Sequence, residues 1–277
     1  MRPSATNRRD FLATAAAWSL AGGRGGAAER TAPGELRLGV ATYSLRKFSR
    51  AEAIRALQRL GVRYVSIKSF HLPYESSPEE LRRGAQEFRD AGLTILSGGN
   101  IELTEPGELR ARFEYAKQCG MPMMVCAPSH ATLDAVERLV GEYDIKTAIH
   151  NHGPEDRHFP TPESVLEAVK HRDPRMGLCL DTGHTARTGA NVVEWIRRAG
   201  PRLLDVHIKD LKDLMRRGSD CPVGDGAMPV VAILRELRAM NYQGGVMLEY
   251  EIDADDPLPG MIRSIAYLRG VLDALAA

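Results

Sequence analysis

From residue 36 onward the chain alternates two hydrophobic periodicities. Short runs rich in β-branched and apolar residues read as buried strands: Leu36–Ala41, Tyr64–Lys68, Thr94–Ser97, Met123–Cys126, Lys146–His150, Met176–Leu180, Leu203–Ile208 and Val246–Glu249. Amphipathic stretches of helical period lie between and after them. Several open on a helix-start signal. Ser77-Pro78-Glu79-Glu80, Glu105-Pro106 and Thr161-Pro162-Glu163 put proline in the first turn and acids beside the positive end of the helix dipole. Leu60-Gly61, Ala91-Gly92 and Cys119-Gly120 place glycine where a helix can end in a left-handed cap. Eight strands, each followed by a helix, predict an α/β fold: a single (β/α)8 TIM barrel over residues 36–277. An open doubly wound sheet is the alternative. Against it, Gly39-Val40-Ala41-Thr42-Tyr43 at the first strand has the wrong glycine spacing for a nucleotide loop.

Residues 1–28 break this pattern. Arg8-Arg9-Asp10-Phe11-Leu12 leads into the apolar run Ala13 to Ala21 and then into the small residues Gly22 to Ala28. A charged head, a short apolar stretch and small residues read as an export signal, too short to span a bilayer as a stable helix. The alternative is an amphipathic terminal helix, but the run is apolar all round. The paired arginines resemble a twin-arginine signal. That resemblance implies cleavage near Ala28, a short linker over residues 29–35, and a periplasmic protein exported already folded.

Composition supports one sizeable core: of 277 residues 43% are hydrophobic and 26% charged. Without the first 28 residues 249 remain, close to the ~250 of a typical (β/α)8 barrel. Removing that segment also turns a formal charge of +1 into −2, with 33 basic and 35 acidic residues left. Neither nucleic acid nor an anionic membrane surface is recruited by such a balance. Cys119, Cys126, Cys179 and Cys221 lack the C-x-x-C spacing of a zinc or redox motif and read as core thiols.

In a barrel of this kind chemistry sits where the strands end and the βα loops converge. Strands five to eight finish in Ile149-His150-Asn151-His152-Gly153, Cys179-Leu180-Asp181-Thr182-Gly183-His184, Asp205-Val206-His207-Ile208-Lys209-Asp210 and Met247-Leu248-Glu249-Tyr250-Glu251. His150, Asp181, His207 and Glu249 supply one imidazole or carboxylate per strand, and barrel closure would bring them to one point. Mixed nitrogen and oxygen donors on rigid elements suit one divalent ion with positions open to substrate oxygens. Mn2+, Co2+, Zn2+ and Fe2+ fit such donors better than Mg2+. Any single polar residue at a strand end is more often just hydrogen-bonded; four on successive strands are harder to attribute to that.

The order Asp181-Thr182-Gly183-His184, His207-Ile208-Lys209-Asp210, Gly224-Asp225-Gly226 and Glu249 resembles the xylose isomerase-like barrel superfamily of sugar and sugar-phosphate isomerases and epimerases. The resemblance runs over roughly the whole barrel and is most specific over strands five to eight. It implies an ion held by Glu, Asp, His and Glu, the last three falling on Asp181, His207 and Glu249. The first does not match: the family commonly reads Glu-Asn-His where this chain reads His150-Asn151-His152. The stretch from Ala131 to Glu142 also looks short for the family. In such enzymes the two glutamates are ligands and also move a proton beside a carbonyl, so His150 leaves one carboxylate too few. His152 is the substitute base, since i and i+2 on a strand face one side and imidazoles ordinarily titrate near ~6.5. Its alternative role is to orient the neighbouring ligand.

Glu249 completes the catalytic pair, and Lys68 at the end of strand two is placed to bear on a developing oxyanion. The resemblance makes His184 a substrate contact, and His71 and Lys209 are further candidates for one. Lys209 with Asp210 could equally form a salt bridge closing a loop. Glu251 reads as a partner of Glu249, and Tyr43, Phe70, Phe159 and Tyr250 either stack on a sugar or pack. The expectation is an exported, divalent-metal-dependent isomerase or epimerase that abstracts a proton next to the carbonyl of a keto-sugar. A 3-keto-glycoside lyase or hydratase working by β-elimination shares that first step. The partner is a small-molecule sugar or glycoside, and family barrels are often dimers or tetramers. A sugar-binding barrel without turnover is the non-catalytic alternative. DNA cleavage of the endonuclease IV kind needs more His and Glu ligands and a more basic surface.

Overall fold

A computed structural model describes residues 34–277. The expected export signal and all but the last two residues of the expected 29–35 linker lie outside the described residues. The chain runs β1 (Arg37–Ala41), α1 (Arg50–Leu60), β2 (Tyr64–Ile67), α2 (Pro78–Asp90), β3 (Thr94–Leu103), α3 (Leu109–Gln118), β4 (Met123–Pro128), α4 (Leu133–Tyr143) and β5 (Lys146–His150). It continues through α5 (Pro162–Val169), β6 (Met176–Asp181), α6 (Thr182–Arg187), α7 (Val192–Ala199) and β7 (Leu203–Ile208). A short antiparallel pair, β8 (Asp210–Leu211) and β9 (Asp220–Cys221), precedes α8 (Val230–Ala239), β10 (Gly245–Leu248) and α9 (Leu258–Ala276).

Among the described residues eight parallel strands close into a barrel in the order β1-β10-β7-β6-β5-β4-β3-β2. The (β/α)8 expectation holds and the open sheet is excluded. Local chemistry explains the helix boundaries. Ser49 and Glu52, Ser77 and Glu80, and Thr161 and Ser164 form reciprocal capping boxes at the starts of α1, α2 and α5, each satisfying amides that the first turn leaves without partners. Gly61, Gly92 and Gly120 follow α1, α2 and α3 at φ of 65°, 81° and 61°, where a side chain would be strained.

Two local expectations need correction. β3 runs on to Leu103 rather than ending at Ser97, because an irregularity between Gly98 and Ile101 lets the strand resume pairing with β4. Glu105-Pro106 opens a turn closed by the Glu108 amide on the Glu105 carbonyl, and α3 starts three residues after Pro106. The segment after strand four holds a 3-10 turn, His130–Thr132, and then α4, whose 11 residues equal those of α1.

The main core fills the space between sheet and helices, and two small clusters fill the barrel itself: Met123, Val125, Ala148 and Cys179, and Ala41, Leu96 and Met247. All four cysteines are buried free thiols, as the spacing indicated. No described helix is long and apolar enough to cross a membrane. A hollow of about 280 Å3 between α5 and α7 lies on the outer helix layer; its acids Glu163 and Glu167 are exposed, and it contains no histidine.

Candidate metal centre

Period-two alternation decides which side chains enter the barrel. On β5 Ala148 and His150 point inward, on β6 Cys179 and Asp181, on β7 Asp205 and His207. Each pair steps from the packed interior to the mouth. Glu249 follows directly after β10, its amide donating to the Ile208 carbonyl at 3.1 Å. One donor atom from each of His150, Asp181, His207 and Glu249 lies within 4.8 Å of the others. His150 is 5% exposed, and Asp181 and His207 are sealed from solvent.

These donors are poorly satisfied by one another. His150 Nε2 stands 3.5 Å from Asp181 Oδ2 and His207 Nδ1 3.3 Å from Glu249 Oε1. Both ring nitrogens of both histidines lack a hydrogen-bond partner among the described residues. Buried polar atoms normally have partners, and each one without costs free energy. Two imidazoles without a hydrogen bond, converging with two carboxylates, therefore fit a divalent ion. A second set, His150, Cys179 and His207, meets the same distance limit one layer deeper, but burial holds the Cys179 thiol up at about 12, away from the thiolate a metal needs.

Lys209 supplies positive charge to the same carboxylates. Its Nζ is 3.0 Å from Asp181 Oδ2 and 2.9 Å from Glu249 Oε2, and it also pairs with Glu251. Two bonds to the Thr182 hydroxyl, at 3.1 Å from the Lys209 amide and 3.2 Å to its carbonyl, hold the lysine backbone. The side chain crosses Gly183 so closely that a Cβ there would lie 2.7 Å from both Cγ and Cδ of Lys209. Burial opposes the Lys209 charge, but Asp181, Glu249 and Glu251 outweigh it and hold the pKa well above the usual lysine range. Burial likewise raises Glu249, but Lys209 and His207 outweigh it and hold the carboxyl well below its usual range. Glu251 goes the other way: burial raises it further than Lys209 lowers it.

Asn151 clamps the next turn, accepting the Asp181 amide at 3.0 Å and donating to the Thr185 hydroxyl at 3.1 Å. Asp181 is also the N-cap of α6, its Oδ1 accepting the His184 amide at 2.7 Å. His184 is thereby carried to the donors, its ring centroid 5.6 Å from that of His150 and 4.8 Å from that of His152. Burial, with Lys209, His150 and His152 adding to it against Asp181, pushes the His184 pKa down to about 3.

The other expected site residues are more dispersed. His152 lies just past β5 at the rim, half-exposed, with Nδ1 3.6 Å from Asp156 Oδ2, beyond hydrogen-bond reach. Lys68 donates to the Asn100 carbonyl, and burial lowers its pKa against the pull of Glu249 and Glu102. His71 is not brought to the donors: the loop turns back through its amide bond to Lys68, and its Nε2 donates to the Leu45 carbonyl at 3.2 Å. Asp210 is the clamp of the following loop, accepting the amides of Gly224 at 2.9 Å, Gly226 at 3.1 Å and Met228 at 3.0 Å. Phe159 and Tyr250 are core residues, whereas Phe70 is 51% exposed beside Tyr43.

Two residues of the site escaped the sequence reading. Arg187, three residues beyond His184, and Glu155, in the loop after β5, form an ion pair against the His184 ring. The available signal was the i, i+3 spacing from a histidine whose helix was not anticipated.

An inosose dehydratase of Clostridium botulinum (strain Eklund 17B / Type B) is 25% identical to this chain over 155 residues, covering 50% of the chain and 51% of that protein. The chain spans about half the length of the curated relatives it matches. The crystal structure of an uncharacterized protein from Parabacteroides distasonis ATCC 8503 is similar at a TM-score of 0.67 and 27% identity, covering 85% of this chain and 98% of that one. The crystal structure of the IOLI protein with a bound zinc atom shares the fold at a TM-score of 0.72 and 19% identity, over 86% of this chain and 99% of that one. Residues 49–271 match the family described as xylose isomerase-like TIM barrel, and with its closed eight-stranded barrel this chain belongs to that family.

Proposed function

We propose that this chain is a divalent-metal-dependent enzyme that removes the proton beside the carbonyl of a keto-sugar or a cyclic polyol ketone. The observation that carries the reading is the donor ring: three buried ligand-type side chains and the half-buried Glu249, at the ends of four strands, with their imidazole nitrogens unpartnered at the barrel mouth. Once bound there by His150, Asp181, His207 and Glu249, an ion would polarise the substrate carbonyl and make the neighbouring C–H acidic. The zinc carried by the IOLI protein supports a metal in such a barrel. Lys209 holds a fixed positive charge beside the donors, suited to a developing enolate oxygen. His152, at the solvent edge, is the proton acceptor in this reading, while Glu249 remains engaged with Lys209.

Loss of a leaving group from the next carbon is the second reading. In that step the C–H bond breaks, a carbon–carbon double bond forms, and the adjacent C–O bond breaks with release of water or an alcohol. Two observations favour it over reprotonation. Several relatives are inosose dehydratases, and His150 stands where a second acid/base carboxylate would serve epimerisation. Export through the Arg8-Arg9 signal, which we retain as part of the proposal, would bring the enzyme to glycosides rather than to phosphorylated sugars.

The test is incubation of the Mn2+-supplemented protein with an inosose, a 3-keto-glycoside and free ketoses in deuterated water. Deuterium entry at the carbon beside the carbonyl, or release of water or aglycone, is expected with at least one of them. Asp181→Asn keeps a good N-cap for α6 while removing a charged ligand, so it should bind the ion at least tenfold more weakly by calorimetry and lose turnover. Neither exchange nor cleavage with any of these substrates, alongside saturable sugar binding, would make the protein a binding barrel and overturn the proposal.

A further inference from the structure

α6 starts on Asp181 and ends at Arg187, so its residues are placed directly against the donor ring. His184 and Arg187, at i and i+3, share one face of it. The Arg187 side chain is only 8% exposed. Its Nη1 lies 3.3 Å from His184 Nδ1, its Nη2 pairs with Glu155, and its Nε has no partner among the described residues. Gly153 makes the arrangement possible. At φ +87° it brings the loop after β5 over the pair, and a Cβ there would sit 3.1 Å from both Arg187 Nη1 and His184 Nδ1. Glu155, two residues further on, balances the guanidinium charge from that same loop.

The chemistry of the contact leaves one assignment. A guanidinium carries five N–H donors and no acceptor, so in this bond the imidazole nitrogen must accept. Nδ1 is then unprotonated, and a neutral ring carries its hydrogen on Nε2. A second proton would turn an N–H at Nδ1 against a fixed cation. Nδ1 is occupied by Arg187, which leaves Nε2 as the nitrogen that a ligand can reach.

We propose that Arg187, anchored by Glu155, is a positioning residue that fixes His184 as the Nε2–H tautomer, so that the ring offers the cleft a hydrogen-bond donor and no acceptor. The Arg187–Glu155 ion pair spans α6 and the β5 loop, which ties the state of the ring to the docking of that loop. Which substrate oxygen receives the N–H rests on the function proposed above, the carbonyl oxygen that becomes the enolate being the one served by a donor. The tautomer itself does not rest on it.

Protein labelled with 15N-histidine, as purified and after zinc addition, reports the ring state by long-range proton–nitrogen correlation. The His184 signals are identified by their loss in His184→Gln. The expected pattern is one protonated nitrogen, Nε2, correlated with both ring protons, and one unprotonated nitrogen, Nδ1. Arg187→Met should lose this pattern and give the averaged shifts of two interconverting tautomers, and Arg187→Lys, which restores a cationic donor, should recover it at least in part. A wild-type ring protonated at Nδ1, protonated at both nitrogens or averaged between tautomers overturns the proposal whether or not the Arg187 variants fold. A single Nε2–H pattern persisting in Arg187→Met overturns the role of Arg187. No turnover enters this test, so the expected pattern in a protein inactive on sugars would count against the enzymatic reading alone.

Discussion

Lys209 and a divalent ion would serve the same carboxylates. Burying a carboxylate without a counter-charge is costly, and Asp181, Glu249 and Glu251 share one ammonium between them. Replacing it in Lys209→Met leaves buried charges without a partner, a loss of about 3–5 kcal/mol for a broken buried pair. That loss should appear in thermal unfolding with chelator present and shrink when Zn2+ or Mn2+ is saturating, while divalent-ion affinity rises at least tenfold. Equal destabilisation under both conditions would separate Lys209 from the ion site. At this scale the four donors were legible because each is the last inward residue of its strand or, for Glu249, the residue directly after it, a pattern that needs only strand period and barrel closure. Arg187 and Glu155 were not, because their meaning depends on a helix starting at Asp181 and on how a glycine-bearing loop lies across it. His71 was misplaced for the opposite reason: proximity to a strand end said nothing of the backward turn that buries its ring against Leu45.

Between residue 209 and α8 the chain forms a connection whose only regular structure is the β8–β9 pair, and one carboxylate organises it. Asp210 receives amides from Leu211, Gly224, Gly226 and Met228, and a Cβ at Gly226 would come within 2.6 Å of its carboxyl carbon. Charge-assisted bonds of this kind are each stronger than neutral ones, so Asp210 adds to the burial of Leu211, Val223 and Met228 in ordering the element. Asp210→Ala should raise amide hydrogen exchange across residues 210–228 by an order of magnitude or more and leave the barrel strands unchanged. Exchange that rises uniformly through the barrel would mean the segment is part of the global fold. The strands themselves could be placed from the sequence to within a residue or two, except β3, whose irregular pairing at Gly98 breaks the alternation that marks a strand. The connection could not, because its order comes from one side chain reaching fourteen to eighteen residues along the chain rather than from any local period.

At the scale of the whole molecule, His71 should make the barrel lose stability on mild acidification. Burial holds the His71 pKa below its usual 6.5, with the Leu45 and Phe48 carbonyls opposing. The unfolded chain therefore takes up a proton that the folded chain refuses. The stability tied to this difference is present above pH 6.5 and is lost as pH falls from there toward the folded-state pKa. His71→Gln keeps a donor for Leu45 without the titration, so its melting temperature should fall less steeply between pH 7 and pH 5 than that of the parent. Identical slopes would remove His71 from the balance. Closure of the barrel could be anticipated from eight strand–helix repeats, and it has an uneven result. All four donors stand at the ends of β5, β6, β7 and β10, while the charged group that follows β2 at the mouth, Lys68, is turned onto the Asn100 carbonyl of β3. The first half of the chain is in that sense masonry and the second half is the tool. Substitutions in the first half should be tested chiefly by whether the wall still closes, and those among residues 150–249 by whether four particular side chains still meet, so a change of chemistry at this mouth has its levers in the second stretch.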